Sequence, residues 1–390
     1  MTTTEPFEGL CCTATGECYD ATATGESDAG ARLEATYDYD AVDWSGDALA
    51  DAPRSMWRYA DLLAFETPVT ADEGGTPLVD APALAEEAGL GSLSIKDEGR
   101  NPTGTILDRG LSPAVTAARE ADADLVALAA PGNAGQSAAS YAGLADLRSY
   151  AFVPSRAPFP NKAMVNVHGG EMRVAGGRYP DALDALETQL ESEWYTLCEF
   201  DNPHRHDGIK TAAFEVAESL SWSGPDAVVV PAGTGEVVAG MAKGFRELRE
   251  LGLLDSLPPI YAAQPSGCAP IVAAHDRGAD AAEPWEAPDT IVGELEVPDP
   301  EGGNAALEAI ETTGGGVVTV DDETSLESAV VAAQAAGLEV GAAGGVAVAA
   351  AGILADDGVF DADDHVVVVN TESGTKTADI LRSHLMGKGI

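Results

Sequence analysis

Lys96-Asp97-Glu98-Gly99-Arg100-Asn101-Pro102-Thr103-Gly104-Thr105-Ile106-Leu107-Asp108-Arg109-Gly110 carries more information than any other stretch of this chain. It joins a charged triplet to an Asn-Pro-Thr-Gly segment and then to a hydrophobic pair, with one lysine at its start and Leu107 eleven residues later. Around it, from Asp72 to the end, short apolar runs alternate with Ala-rich helical patterns. The runs at 125–128, 149–153, 171–174, 227–230, 260–263, 316–320 and 365–369 read as strands, and 134–146, 208–220, 237–251, 323–336 and 345–355 read as helices. Strands apolar on both faces that alternate with helices form parallel sheets sandwiched by helices, an α/β fold class. Gly-rich turns recur just after strands, where open α/β sheets place their ligands. The stretch near 276–290 reads as a surface loop.

The chain has 390 residues, 45% hydrophobic and 22% charged, which suits one large or two ordinary domains with ample core. No run of about 18 apolar residues predicts a membrane span. The start shows neither a basic nor an apolar signal region, so a cytoplasmic location is expected. Asp plus Glu number 65 against 21 Lys plus Arg, a net charge of -44. The even spread of acid and the hydrophobic content argue against disorder. A salt-loaded cytosol is the better reading, because multimolar salt shortens the Debye length to about 3 Å and dense carboxylates then keep a surface hydrated without strong repulsion. Nucleic acid and anionic membranes are excluded as partners by the same charge. Cys11, Cys12, Cys18, Cys198 and Cys268 make an odd number, which in a cytoplasmic chain predicts free thiols.

Other stretches fall in a fixed order along the chain: Glu73 to Leu78, Pro131-Gly132-Asn133-Ala134-Gly135-Gln136-Ser137, Asn202-Pro203-His204-Arg205 with Gly208-Ile209-Lys210-Thr211, Gly240 to Phe245, Gln264 to Pro270, and Thr371-Glu372-Ser373-Gly374-Thr375-Lys376. Together with Lys96 to Gly110, they resemble the threonine synthase branch of the fold-type II enzymes that use pyridoxal 5'-phosphate (PLP). The resemblance runs from about residue 73 to 385. It implies a tryptophan synthase beta-like fold of two open α/β/α sheet domains, with the site and a small-molecule ligand in the cleft between them, and suggests a homodimer. The expected divisions are an extension at 1–52, an N-terminal domain at 53–180 and a C-terminal domain at 181–390. The extension is similar to the family's small zinc ribbon, with Gly16, Tyr19, Gly30, Leu33 and Tyr37 in place. Its four ligand positions read Cys12, Thr15, Glu26 and Ala29. Structural zinc needs four soft or imidazole ligands, so a metal-free relic is expected. His204-x-His206 is the one histidine pair with metal-like spacing, and its place inside the family run favours a structural or substrate-side role.

The resemblance puts the Schiff-base lysine of the family at Leu107. A PLP enzyme needs an amine to hold the aldehyde and later to move a proton, and leucine supplies none. The remaining lysines, Lys96, Lys162, Lys210, Lys243, Lys376 and Lys388, offer no surplus amine near the expected aldehyde. The phosphate loop of the family falls at Gly233-Thr234-Gly235-Glu236-Val237. A carboxylate about 4 Å from a phosphate dianion costs on the order of 1 kcal/mol even in water, so loss of anion affinity is expected. The substrate-phosphate run falls at Glu199 to Arg205, leaving Asn202 and Arg205 as candidates while adding Glu199 and Asp201. Asn133 matches the residue that meets the cofactor's 3-hydroxyl, with capping of the following helix as the structural alternative. Thr371 matches the hydroxyl near the pyridine nitrogen, or simply ends a strand. The leading expectation is a catalytically degenerate paralogue. The alternative is an active lyase or synthase acting on an amino acid such as O-phosphohomoserine, with PLP held by Asn133, Gly233, Thr234, Gly235 and Thr371.

Overall fold

The computed structural model describes residues 2–44, 49, 52–191 and 193–387. The chain opens with β1 (Phe7–Cys12), β2 (Cys18–Tyr19) and β3 (Leu33–Tyr37), then β4 (Leu78–Asp80), α1 (Pro82–Ala88) and β5 (Ser92–Asp97). Next come α2 (Leu107–Glu120), β6 (Leu125–Ala129), α3 (Asn133–Leu144), β7 (Arg148–Val153), α4 (Phe159–Val167), β8 (Glu171–Val174), α5 (Tyr179–Gln189), β9 (Tyr195–Thr196), α6 (His204–Ile209) and α7 (Thr211–Ser219). The remainder holds β10 (Ala227–Pro231), α8 (Glu236–Glu250), β11 (Ile260–Pro265), α9 (Pro270–Asp276), α10 (Gly303–Thr313), β12 (Gly316–Val320), α11 (Asp322–Ala336), α12 (Ala342–Asp356), β13 (His365–Asn370) and α13 (Ala378–Gly387). Contacts divide the chain into two discontinuous units rather than at 52 and 180. One comprises Met1–Gly75, Leu107–Ala212 and Glu247–Leu253; the other comprises Thr76–Ile106, Ala213–Arg246 and Leu254–Ile390.

The first unit holds a parallel sheet of order β8-β7-β6-β9. All five residues of β6, Leu-Val-Ala-Leu-Ala, are buried, as expected of a parallel strand covered on both faces. Helices α2 and α6 cross backbone to backbone. A Cβ on Gly110 would lie 2.5 Å from the Arg205 carbonyl oxygen, and one on Gly208 would lie 2.0 Å from that of Arg109. Pro113 inside α2 has no N–H to give to the Arg109 carbonyl four residues earlier, and Gly208 sits against that same carbonyl. The helix expected over 208–220 is broken after Ile209, and the Thr211 hydroxyl takes the Gly208 carbonyl at 2.7 Å.

The N-terminal extension folds as an antiparallel sheet, β2-β1-β3, and is tied to α6. The His204 ring meets the Ala21 carbonyl at 2.6 Å, and the Tyr37 hydroxyl donates to Asp207 at 2.6 Å. The expectation of free thiols is corrected here. Register pairs Cys11 directly with Cys18 across β1 and β2, and the two form a disulfide, a proximity that a count of cysteines cannot reveal. Cys12, Cys198 and Cys268 are free and buried. Cys12, the one soft residue at the ribbon's ligand positions, accepts a hydrogen bond from the Ser27 hydroxyl at 3.0 Å. That contact and a second from Thr15 lower its pKa to about 7.

The second unit is built on a six-stranded sheet, β12-β11-β10-β13-β5-β4, parallel except for β4 at the edge. Helix α12, Ala-Ala-Gly-Gly-Val-Ala-Val-Ala-Ala-Ala-Gly-Ile-Leu-Ala-Asp, is apolar nearly all round and accordingly buried in the core of this unit. Its Gly345 lets it approach α11, where a Cβ would fall 2.2 Å from the Ser325 carbonyl oxygen. Residues of the 276–290 stretch beyond α9 form no helix or strand and are mostly exposed. Among the described residues no helix is long and apolar enough to cross a membrane. Gly208→Ala places a methyl on a carbonyl that cannot retreat; it is expected to cost roughly 3 kcal/mol or more, measured as a lowered urea midpoint.

Candidate functional site

In the second unit the loops that follow β5, β10 and β13 carry most of the residues singled out by the sequence. β5 lies between β13 and β4, and its last residues, Lys96 and Asp97, are buried although charged. The Lys96 ammonium donates to the Thr76 carbonyl at 2.7 Å and to Glu215 at 2.5 Å, and stands 3.8 Å from Glu98. Glu98 in turn accepts from the Thr76 hydroxyl at 2.6 Å and the Asn101 amide at 2.6 Å. Asp97 accepts from Asn370 at the end of β13 at 2.9 Å. The next stretch runs beside the segment after β13, with Ile106 N–H on the Thr371 carbonyl and Ser373 N–H on that of Gly104, both at 2.9 Å. Thr371 thus follows β13 directly, half-buried.

β10 delivers the glycine loop. Gly235 has φ +91°, and a Cβ there would lie 2.4 Å from the Gly302 carbonyl oxygen, so the turn excludes larger residues twice over. Gly302 N–H closes onto the Thr234 carbonyl at 3.0 Å, and Gly233 and Thr234 are half-buried. Glu236 opens α8 and is 2% exposed. A helix N-terminus is a ready anion site, and here the chain places its own carboxylate there.

Two further buried carboxyls belong to this unit. Glu372 follows Thr371 directly, its Cγ 2.5 Å from where a Cβ on Gly341 would stand. Glu294 lies in a 3-10 turn, Gly293–Leu295, whose Glu294 carbonyl is 3.1 Å from the Cβ position of Gly233. Neither Glu294 carboxyl oxygen has a hydrogen-bond partner. Burial first, and then the Glu372 charge, push its pKa well above the carboxyl range, while Lys376 pulls it down. Sequence reading missed Glu294, because it sits in an irregular stretch with no periodicity and no motif spacing.

In the first unit Leu107 is the first residue of α2 and half-buried, just ahead of buried Asp108, which accepts from Ser137 at 2.5 Å. Asn133 opens α3 and is buried, but Gly132 takes the capping position. Arg205 is fully buried; it donates to the Leu197 carbonyl at 2.8 Å and pairs with Glu199 at 3.5 Å. Asn202, also fully buried, ties the loop together by donating to the Thr196 carbonyl and accepting from His204 N–H. Both residues therefore serve the local fold, with the acid at 199 absorbing the guanidinium. Phe200, next to Glu199, has φ +58°, an outlier for a bulky residue. His206 stacks on Phe200 at 5.3 Å, and among the described residues no group of three His, Cys, Asp or Glu side chains could hold a metal. Lys210 is held by Asp207 at 2.7 Å and Glu247 at 2.9 Å, above the Tyr37 ring. Lys162 is bound to the Ser155 carbonyl, and Lys388 lies outside the described residues.

Two stability experiments test this charge arrangement. Lys96→Met leaves Glu98 and Glu215 buried without their cation and is expected to cost about 3–5 kcal/mol, read as a lowered denaturation midpoint that Glu215→Gln in the same chain partly restores. Glu294→Gln should act in the opposite sense. A carboxyl whose folded pKa is raised holds its proton where the unfolded chain has lost it, so stability falls as pH rises through the carboxyl range. The variant escapes that loss. Its melting temperature at pH 7 is expected to exceed that of the parent, with the gain vanishing toward about pH 4.

A family model described as pyridoxal-phosphate dependent enzyme matches residues 69–372. A threonine synthase of Methanosarcina acetivorans is 36% identical over 341 residues, 87% of this chain and 84% of its own. One from Methanocaldococcus jannaschii is 32% identical over 375 residues, 94% of this chain and 93% of its own. Among solved structures, the processed form of threonine deaminase isoform 2 from Solanum lycopersicum superposes with a TM-score of 0.67 at 20% identity, over 79% of this chain and 82% of that one. That likeness concerns the fold, which is that of the fold-type II PLP enzymes. With the family's model spanning most of the chain and threonine synthases as relatives along nearly its full length, the protein belongs to the pyridoxal-phosphate dependent enzyme family.

Proposed function

We propose that this protein is a threonine-synthase-like member of the family that forms no Schiff base with PLP and has lost the family's catalysis, and that its pocket serves a different small molecule. The observation that carries this reading is Leu107, an aliphatic side chain at the position where the family's run presents its lysine. The lysines support it. Lys96 and Lys210 are wholly buried and held by carboxylates, and Lys162 on α4 is bound at the Ser155 carbonyl in the preceding turn.

The backbone of the 233–235 loop and the start of α8 keep a shape that suits a phosphate. The charge does not fit: Glu236 stands buried at the helix start. Bringing a dianion close to that carboxylate costs several kcal/mol at the low dielectric of such a place. No step is therefore assigned to PLP here. The net charge of -44 supports a cytosol of high salt as the working environment, and the family relationship supports a homodimer.

Protein purified in high salt with PLP, treated with borohydride and mapped by peptide mass, is expected to carry no covalent adduct. An adduct on any lysine would restore the reading of an active lyase or synthase. Leu107→Lys combined with Glu236→Gly is expected to gain that adduct.

A further inference from the structure

Helix α12 carries three glycines. A Cβ on Gly344 would collide with the Asn370 side chain and one on Gly345 with the Ser325 carbonyl, so packing requires both. A Cβ on Gly352 would meet no atom within 4 Å. Glycine weakens a helix relative to alanine or leucine, so the fold alone favours a larger residue at 352. The space beside Gly352 belongs to an open cavity of about 350 Å³ within the second unit, among α1, α11 and α12. Its apolar lining includes Leu84, Leu93, Val331, Val348 and Ile353. Its charged lining is wholly acidic: Glu87 on α1, Glu327 on α11 and Asp356 at the end of α12. Among the described residues no lysine, arginine or histidine lines it. Glu327 is met by His384 at 3.0 Å, whereas the side chains of Glu87 and Asp356 make no hydrogen bond or ion pair with another described residue. Asp356 stands at the negative end of the α12 dipole, where a carboxylate is disfavoured and a cation favoured.

We propose that this cavity binds a small organic cation with a hydrocarbon body, of the linear alkylamine class. The hydrocarbon lies over Gly352 against the apolar lining, and the ammonium meets Glu87 and Asp356. Size and lining agree, since small-molecule sites are mostly apolar clefts of about 300 Å³ upward with a few polar groups that fix orientation. Charge selects the class. An apolar anion would bring its carboxylate toward three others, and a second copy of this chain would bring a surface of net charge -44. A neutral alcohol gains the apolar contacts alone. None of the lining residues belongs to the 233–235 loop or to the segment after β13, so the site stands whether or not PLP binds.

The test is titration calorimetry of the full-length protein with hexylammonium chloride in the high-salt buffer of its purification, with butylammonium, hexanol and hexanoate as comparison probes. Saturable binding of one hexylammonium per chain is expected. Butylammonium should bind roughly tenfold more weakly, from about fourfold per methylene, and hexanoate should give no saturable heat. Gly352→Leu separates binding from folding, because leucine is the better helix former and fills the empty space: its melting temperature should rise while hexylammonium affinity falls at least tenfold. Glu87→Gln combined with Asp356→Asn, both exposed positions, should weaken hexylammonium about fivefold and leave hexanol binding unchanged. Absence of saturable hexylammonium binding in the parent, or parental affinity in Gly352→Leu, would overturn the site. Equal affinity for hexanoate, or no loss of hexylammonium affinity in the double variant, would overturn its choice of a cation.

Discussion

Lys96 holds the carboxylates of Glu98 and Glu215 inside the second unit, and the character of that unit depends on where such compensation is present and where it stops. A chain with three times as many acids as bases must still bury some of its charge. Three buried cations carry two duties each: Lys96 serves two glutamates, Lys210 serves Asp207 and Glu247, and Arg205 serves Glu199 and the Leu197 carbonyl. Buried ion pairs add little net stability, because desolvation offsets attraction, but breaking one is costly. Around the 233–235 loop the compensation thins. Burial and then the Glu372 charge raise the Glu294 pKa well above the carboxyl range, against the pull of Lys376.

The first unit depends on geometry more than on charge. Gly110 and Gly208 let α2 and α6 meet at backbone distance, and Pro113 frees the carbonyl that Gly208 lies against. The same crossing sets where α2 begins and how His204 and Arg205 are presented. A leucine at 107 and an arginine absorbed by Glu199 thus sit on a frame kept intact.

Much of this fold was legible beforehand. β6, β7, β8, β10, β11, β12 and β13 lie where apolar runs predicted them, because a strand buried on both faces must be apolar throughout. β5 escaped that criterion, as its buried end carries Lys96 and Asp97, whose burial is tolerable only through partners far along the chain: Glu215 for one and Asn370 for the other. The Cys11–Cys18 bridge was misjudged for a similar reason, since strand register decides it and parity does not. Candidate residues Gly233, Thr234, Gly235 and Thr371 do follow strand ends, as their positions suggested. Asn202 and Arg205 proved to have partners at 196 to 199 that spacing alone could not assign.

By itself, the sequence determined the α/β class, the family frame, the leucine at 107 and the excess of acid, because each is written in residue identity and periodicity. Which charges are matched was settled only in three dimensions. Electrostatic cost depends on burial and on partners often more than a hundred residues distant, and so the lone carboxyl of Glu294 became visible only once the chain had closed around it.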